Sequence, residues 1–175
     1  VIFCSIGIYE ELLSRGYQLT NLAEGLRCPL WGRLGAVIIA VVITSAIFSV
    51  LHVANPSPSP FALVNIFLTG LLVFGPAYVL TGRLGLPVGF HVSWNFAQSF
   101  IFGLPVSGLQ LGEYPLLLVQ QAGPELWTGG AFGPEGGILG LLAICVASAA
   151  VILWIKSRYG KLQIHRTLAE PPEVK

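Results

Sequence analysis

Long apolar runs alternate with short polar breaks along the chain. Residues 35–54, "GAVIIAVVITSAIFSVLHVA", form an almost unbroken apolar stretch. About 20 such residues, rising 1.5 Å each as a helix, cross a ~30 Å hydrocarbon core. "NPSPSP" (55–60) ends this run, because three prolines cannot continue a helix. The same pattern predicts spans over 1–19, 61–81, 86–103 and 136–155. Gly75 and Pro76 in "VFGPAYV" predict a kink in the third. Between the spans, "NLAEGLRCPLWGRLG" (21–35) and "TGRLG" (81–85) read as polar connections. Residues 104–135 hold four prolines and the acids Glu113, Glu125 and Glu135, which predicts a loop outside the lipid whose "PLLLV" dips into the interface.

Composition turns this pattern into a class. Of 175 residues, 54% are apolar and 10% charged, with mean hydropathy +0.78, whereas soluble domains carry about a quarter charged residues. The expectation is an all-α, polytopic membrane helical bundle of about five spans. Residues 1–160 would form the membrane domain and 161–175 a basic, then Pro-rich, cytoplasmic tail. A net charge of +1 implies no global electrostatic partner, and with no basic stripe interleaved with aromatics nucleic acid is excluded as one. Membrane lipid is the expected surrounding. Arg27, Arg33, Arg83, Lys156, Arg158, Lys161 and Arg166 fall in alternate connections and the tail, which predicts those sides, and the C-terminus, to be cytoplasmic. Cys4, Cys28 and Cys145 form no CxxC pair and read as structural. Only nine residues precede Glu10, too few for a complete span, so a fragment with further helices upstream is expected; no signal-peptide pattern is present.

Candidate chemistry lies where the apolar runs are interrupted. In "YEELLSRG", Glu11 and Arg15 stand four apart on one helix face, acid first, so Glu11 is neutralised. Glu10 points about 100° away and stays available. "FSVLH" puts Phe48 and His52 on one face of the second span, and "HVSWN" does the same for His91 and Asn95 in the fourth, with Ser93 turned elsewhere. Each feature alone has an ordinary reading: a solvated helix end, or a packing histidine bonded to a neighbour. Together they are polar groups in spans, which face one another and mark functional sites. A carboxylate can take a proton from water, a histidine can hold that water, and a His–Asn pair can stabilise an oxyanion, which together amount to acyl-bond hydrolysis. Two histidines and a carboxylate could equally bind zinc, with Glu10, His52 and His91 as ligands, although HExxH is absent. No GxSxG elbow is present.

These motifs resemble those of the CPBP intramembrane proteases, which include the type II CAAX prenyl proteases and the bacteriocin-processing or immunity proteins called Abi. EExxxR is met by Glu10, Glu11 and Arg15, FxxxH by Phe48 and His52, and HxxxN by His91 and Asn95, in family order. "GFHVSWNFAQ" and "GGAFGPEGG" (129–137) also look like bacterial members. The resemblance implies an endopeptidase acting on a membrane-associated substrate, CAAX-type prenylated or leader-type. In it Glu10 would activate water with help from His52, His91 and Asn95 would stabilise the tetrahedral intermediate, and Glu11, Arg15 and Phe48 would support them. It leaves the cofactor open between zinc and none, and implies a multi-pass protein of a bacterial or archaeal plasma membrane. The alternatives are a non-catalytic immunity factor or scaffold, in which the polar residues fix helix packing, and a proton relay or transporter, for which paired broken helices and repeat symmetry are missing. One difficulty stands against the protease. His52 lies ~26 Å and His91 ~10 Å from the starts of their spans, yet the chemistry needs them level. Either the second span is displaced toward the cytoplasm, or the boundaries or the orientation are wrong.

Overall fold

The computed structural model describes residues 1–169 and is all-α: among them the β-type pairing is confined to one isolated bridge, Val106 with Leu109. Helix α1 covers residues 2–25 and widens into π turns over Leu12–Leu19. Helix α2 is Gly32–Ala54, ending in a 3-10 turn from His52, and α3 is Pro60–Thr81. Helix α4 covers residues 85–101, α5 is the short Glu125–Thr128, and α6 is Ile138–Tyr159. Among the described residues, α2, α3 and α6 are long and apolar enough to cross a membrane. Their outward side chains, Ile38, Val42, Val50, Leu142, Val146 and Leu153 among them, are apolar and exposed. Such an exterior suits hydrocarbon and not water, and the chain is an integral membrane protein. The other two expected spans, α1 and α4, are interrupted by π turns and carry the acid and histidine motifs.

Local sequence explains the breaks. Ser59 caps α3, its hydroxyl accepting from the Ala62 amide at 3.0 Å, and Pro60 occupies the first turn, where its missing N–H costs nothing. Pro76 cannot donate to the Leu72 carbonyl one turn earlier, and the helix widens into π turns over Gly70–Phe74 just before it. Ser148 of α6 satisfies that carbonyl instead, donating to it at 2.9 Å. Where a kink was predicted, the helix widens and bonds to a neighbouring helix. A core of Phe48, Ile66, Val73, Phe74, Phe132, Ile144 and Ile155 lies between α2, α3 and α6.

Helix α1 is antiparallel to both α2 and α4. On the α4 side, Phe3 meets Phe96 edge-on at 5.8 Å, and a Cβ on Gly7 would stand 2.7 Å from Val92 Cγ2. On the α2 side, the Arg15 guanidinium lies over Phe48, and Leu19 and Ala23 pack with Val37, Ala40 and Val41. These registers resolve the depth difficulty by correcting the boundaries. Helix α1 runs to Gly25, not to residue 19, so Glu10 and Glu11 lie in its middle rather than near its end, and the connection shrinks to 26–31. His52, ~30 Å along α2, reaches the level of Glu11. Helix α4 starts recessed. A Cβ on Gly16 would touch Leu84 at 3.1 Å, which places the start of α4 ~14 Å beyond Gly25 and His91 also at the level of Glu11.

The recess is filled by chain expected to be tail. The His165 amide donates to Val79 O at 2.8 Å, and Leu168 and Ala169 are buried beside Leu19, Ala23 and Val37. Arg27 donates to Ala169 O (2.9 Å) and Arg33 to Leu168 O (2.9 Å) and His165 O. Residues 170–175 of the expected tail lie outside the described residues. Cys4 and Cys145 are exposed on helix exteriors, and all three cysteines are free. The 104–135 segment is more ordered than a plain loop: the Leu116, Leu117 and Val119 amides donate to Phe100, Ile101 and Phe102 carbonyls, so "PLLLV" runs along the end of α4 with its side chains exposed.

Candidate active site

A cavity of about 260 Å³ opens between α1, α2, α3, α4 and the 104–135 segment. Glu10, His52, His91 and Asn95 all line it, as do Phe48, Phe74 and the apolar Leu51, Ile66 and Ile144. Residues from each of the three motifs, on three helices, thus share one chamber.

Glu11 organises the chamber from behind. It is fully buried, and its Oε1 accepts from Arg15 Nη1 at 3.0 Å and from His91 Nδ1 at 2.9 Å. Arg15 is equally buried, its guanidinium 4.7 Å from the Phe48 ring centre and 4.9 Å from that of Phe74. A cation between two ring faces is attracted by both quadrupoles. Phe74 also stacks on His91, 4.9 Å away and 17° from parallel. His91 therefore has its ring plane set by Phe74 and its Nδ1 proton set by Glu11, since a carboxylate can only accept. Nε2 is the nitrogen that faces the cavity, 3.6 Å from Glu10 Oε2.

Glu10 is the more accessible carboxylate, its side chain 19% exposed against 0% for Glu11. Arg15 bonds Glu11 and not Glu10, the pairing that the spacing of four predicts; the Glu11–His91 bond was not foreseen. His52 Nδ1 donates to Phe48 O at 2.7 Å, which leaves Nε2 for a partner in the cavity. Asn95 is buried one turn beyond His91. Ser93 is exposed and bonded to Gly89 O, turned away from the cavity.

Among the described residues, no three His, Cys, Asp or Glu side chains form a cluster that could hold a metal ion. A catalytic zinc takes three protein ligands. Glu10 and His91 bring two donors together, and His52, with its Nδ1 on Phe48 O, lines the same cavity.

Sequence reasoning missed one side of the chamber. Glu135, read as a loop acid, lines the cavity: its Oε1 accepts from Trp94 Nε1 at 2.9 Å, and its Oε2 from the Ser107 amide at 2.8 Å and hydroxyl at 2.7 Å. Asn65 Nδ2 donates to Glu135 O (2.8 Å) and Gly137 O (2.9 Å), fixing this segment to α3. The signal was the family-like stretch "GGAFGPEGG", an acid among glycines to which no role was given.

A family model described as "Type II CAAX prenyl endopeptidase Rce1-like" matches residues 1–97, which include all three motifs. No curated protein and no solved structure matches the chain.

Proposed function

Because the chain belongs to the Rce1-like family of type II CAAX prenyl endopeptidases, we propose that it is an intramembrane endopeptidase that hydrolyses a peptide bond near the C-terminus of a prenylated protein, with Glu10 as general base. The observation that carries this reading is Glu10 Oε2 facing His91 Nε2 across 3.6 Å inside the cavity, while Glu11 is engaged by Arg15 and His91.

In the proposed reaction Glu10 takes a proton from a water oriented by His52 Nε2, and the water oxygen attacks the scissile carbonyl carbon. The oxyanion accepts from the Asn95 amide and from His91, which carries a proton on each nitrogen and donates Nδ1–H to Glu11. Glu11 thus stabilises the imidazolium, as a buried carboxylate does for a catalytic histidine. Collapse of the intermediate breaks the C–N bond, and the leaving amine takes the proton held by Glu10. No step passes through a metal. Arg15 and Phe48 hold Glu11 and His52, and the apolar walls, Leu51, Phe74 and Ile144 among them, suit a prenyl chain. The reading includes a multi-pass arrangement with a cytoplasmic C-terminus, from the distribution of Lys and Arg.

The test is cleavage of a farnesylated CAAX reporter peptide by the protein in proteoliposomes. General-base catalysis is worth about 10²- to 10⁴-fold, so Glu10→Gln should lower kcat/KM by at least ~100-fold at unchanged abundance. If the wild type cleaves no prenylated peptide, and peptide termini in cell membranes match between wild type and Glu10→Gln, the protein is a non-catalytic membrane factor.

A further inference from the structure

One wall of the cavity is built around a strained turn. Val106 and Leu109 exchange backbone hydrogen bonds at 2.9 and 2.8 Å, and the two residues between them, Ser107 (φ +47°) and Gly108 (φ +84°), are both left-handed. A tight turn of this kind favours Gly or Asn at both central places. Ser107 is there at a cost of order 1 kcal/mol or more, so its surroundings must hold it. They do so at each of its polar atoms. Glu135 takes its N–H and its hydroxyl, and Asn55 Nδ2 donates to its carbonyl at 3.0 Å. Gly108 in turn donates to Phe132 O at 2.8 Å and approaches Pro56 so closely that a Cβ could not fit.

The other oxygen of Glu135 binds Trp94, whose ring lies 6.1 Å from that of Phe90 and 18° from parallel. One carboxylate thus joins a turn from the 104–135 segment to the helix that carries His91 and Asn95. Trp94, Val106 and Leu109 all face the cavity.

We propose that Glu135 is a positioning residue which, by binding Trp94 with one oxygen and Ser107 with the other, fixes the Trp94–Val106–Leu109 wall against which the substrate chain lies. This inference rests on the protease reading, and it assigns Glu135 to substrate binding and not to chemistry. Both histidines are held independently, His91 by Glu11 and Phe74, and His52 by Phe48 O. Loss of the Glu135 bonds should therefore loosen the wall and leave the chemical step alone.

Two readouts test this in proteoliposomes: steady-state cleavage of a farnesylated CAAX reporter, and Trp94 emission in a background where Trp31, Trp127 and Trp154 are Phe. Glutamine offers one accepting oxygen where three donors converge, so Glu135→Gln should raise KM about tenfold with kcat within about twofold and shift Trp94 emission to the red. Glu135→Asp, which keeps both accepting oxygens, should recover part of each. Ser107→Ala, which removes one of the three donors, should fall between wild type and Glu135→Gln. A fall in kcat at constant KM, as loss of folded protein would give, overturns the proposal, as does wild-type KM with wild-type emission. If the wild type is inactive on the reporter, the prenylated-substrate reading fails by itself. The emission then decides the clasp: an unshifted Glu135→Gln overturns it, and a red shift reversed by Asp supports it.

Discussion

Replacing Arg15 with methionine tests the frame behind the site more directly than any change inside the cavity. The side chain is fully buried, and its Nη1 is 3.0 Å from the equally buried Glu11 Oε1. Glu11 Oε2 and Arg15 Nε and Nη2 have no hydrogen-bond partner among the described residues, so the pair depends on that one bond, on His91 and on the two rings. Removing one member of a buried ion pair costs about 3–5 kcal/mol, because the other is left desolvated and alone. His91 still donates to Glu11, which favours the lower end. Lost cation–π attraction, about 1 kcal/mol at each ring, is largely offset by methionine's own contacts with aromatics, about 0.3–1.5 kcal/mol. The expected loss is about 3 kcal/mol, some 150-fold in the folding equilibrium. Denaturant titration in mixed micelles, with Glu11→Gln and the double variant alongside, gives the coupling, which should be about 1–3 kcal/mol for residues in one network. A cost below about 1 kcal/mol, or strictly additive losses, would mean that the pair is hydrated and does not neutralise Glu11 as inferred.

Two further outcomes follow from the packing. Gly7→Leu puts a side chain where even a Cβ would stand 2.7 Å from Val92 Cγ2 and 3.1 Å from Val92 N; it should separate α1 from α4 and lower both stability, by about 1–3 kcal/mol, and reporter cleavage, whereas equal activity would show that the α1–α4 register does not set the site. Asn65→Leu removes the donors to Glu135 O and Gly137 O, so a loss of about 1–3 kcal/mol is expected, with faster proteolysis within residues 104–135; unchanged proteolysis would mean that the segment is held by other contacts.

What could be read from the sequence follows from how each feature is encoded. Helices α2, α3 and α6 were visible because hydrocarbon length and proline stops are local properties, as "NPSPSP" shows. The end of α1 was misplaced because "NLAEG" is polar, and polarity was taken for a break, whereas the helix continues to Gly25 with Ala23 buried against α2. Arg27 and Arg33 were read through their charge alone, but they also bind carbonyls of residues 165–169, a contact across more than 130 positions that no periodicity announces. Glu135 was invisible for the same reason. Its partners Trp94 and Ser107 lie 41 and 28 residues away, and although "GGAFGPEGG" looked family-like, nothing in that stretch says what its acid binds.

The neighbouring acids Glu10 and Glu11 show why a bundle of three motif-bearing helices suits this chemistry. Consecutive helix positions diverge by about 100°, so one carboxylate can face buried chain while the next faces a cavity. In α1 Arg15 follows Glu11 by four residues, which puts it under Glu11 and between Phe48 of α2 and Phe74 of α3. Glu11 then fixes His91 of α4. A single buried carboxylate thereby ties four helices together, and its neighbour is relieved of that task. Exchanging the two roles would require turning α1 by about 100°, which the close contact of Gly7 with Val92 forbids. The order of the acids is therefore set by the α1–α4 packing, so Glu10→Gln should impair cleavage without unfolding the protein, and Glu11→Gln should cost stability as well.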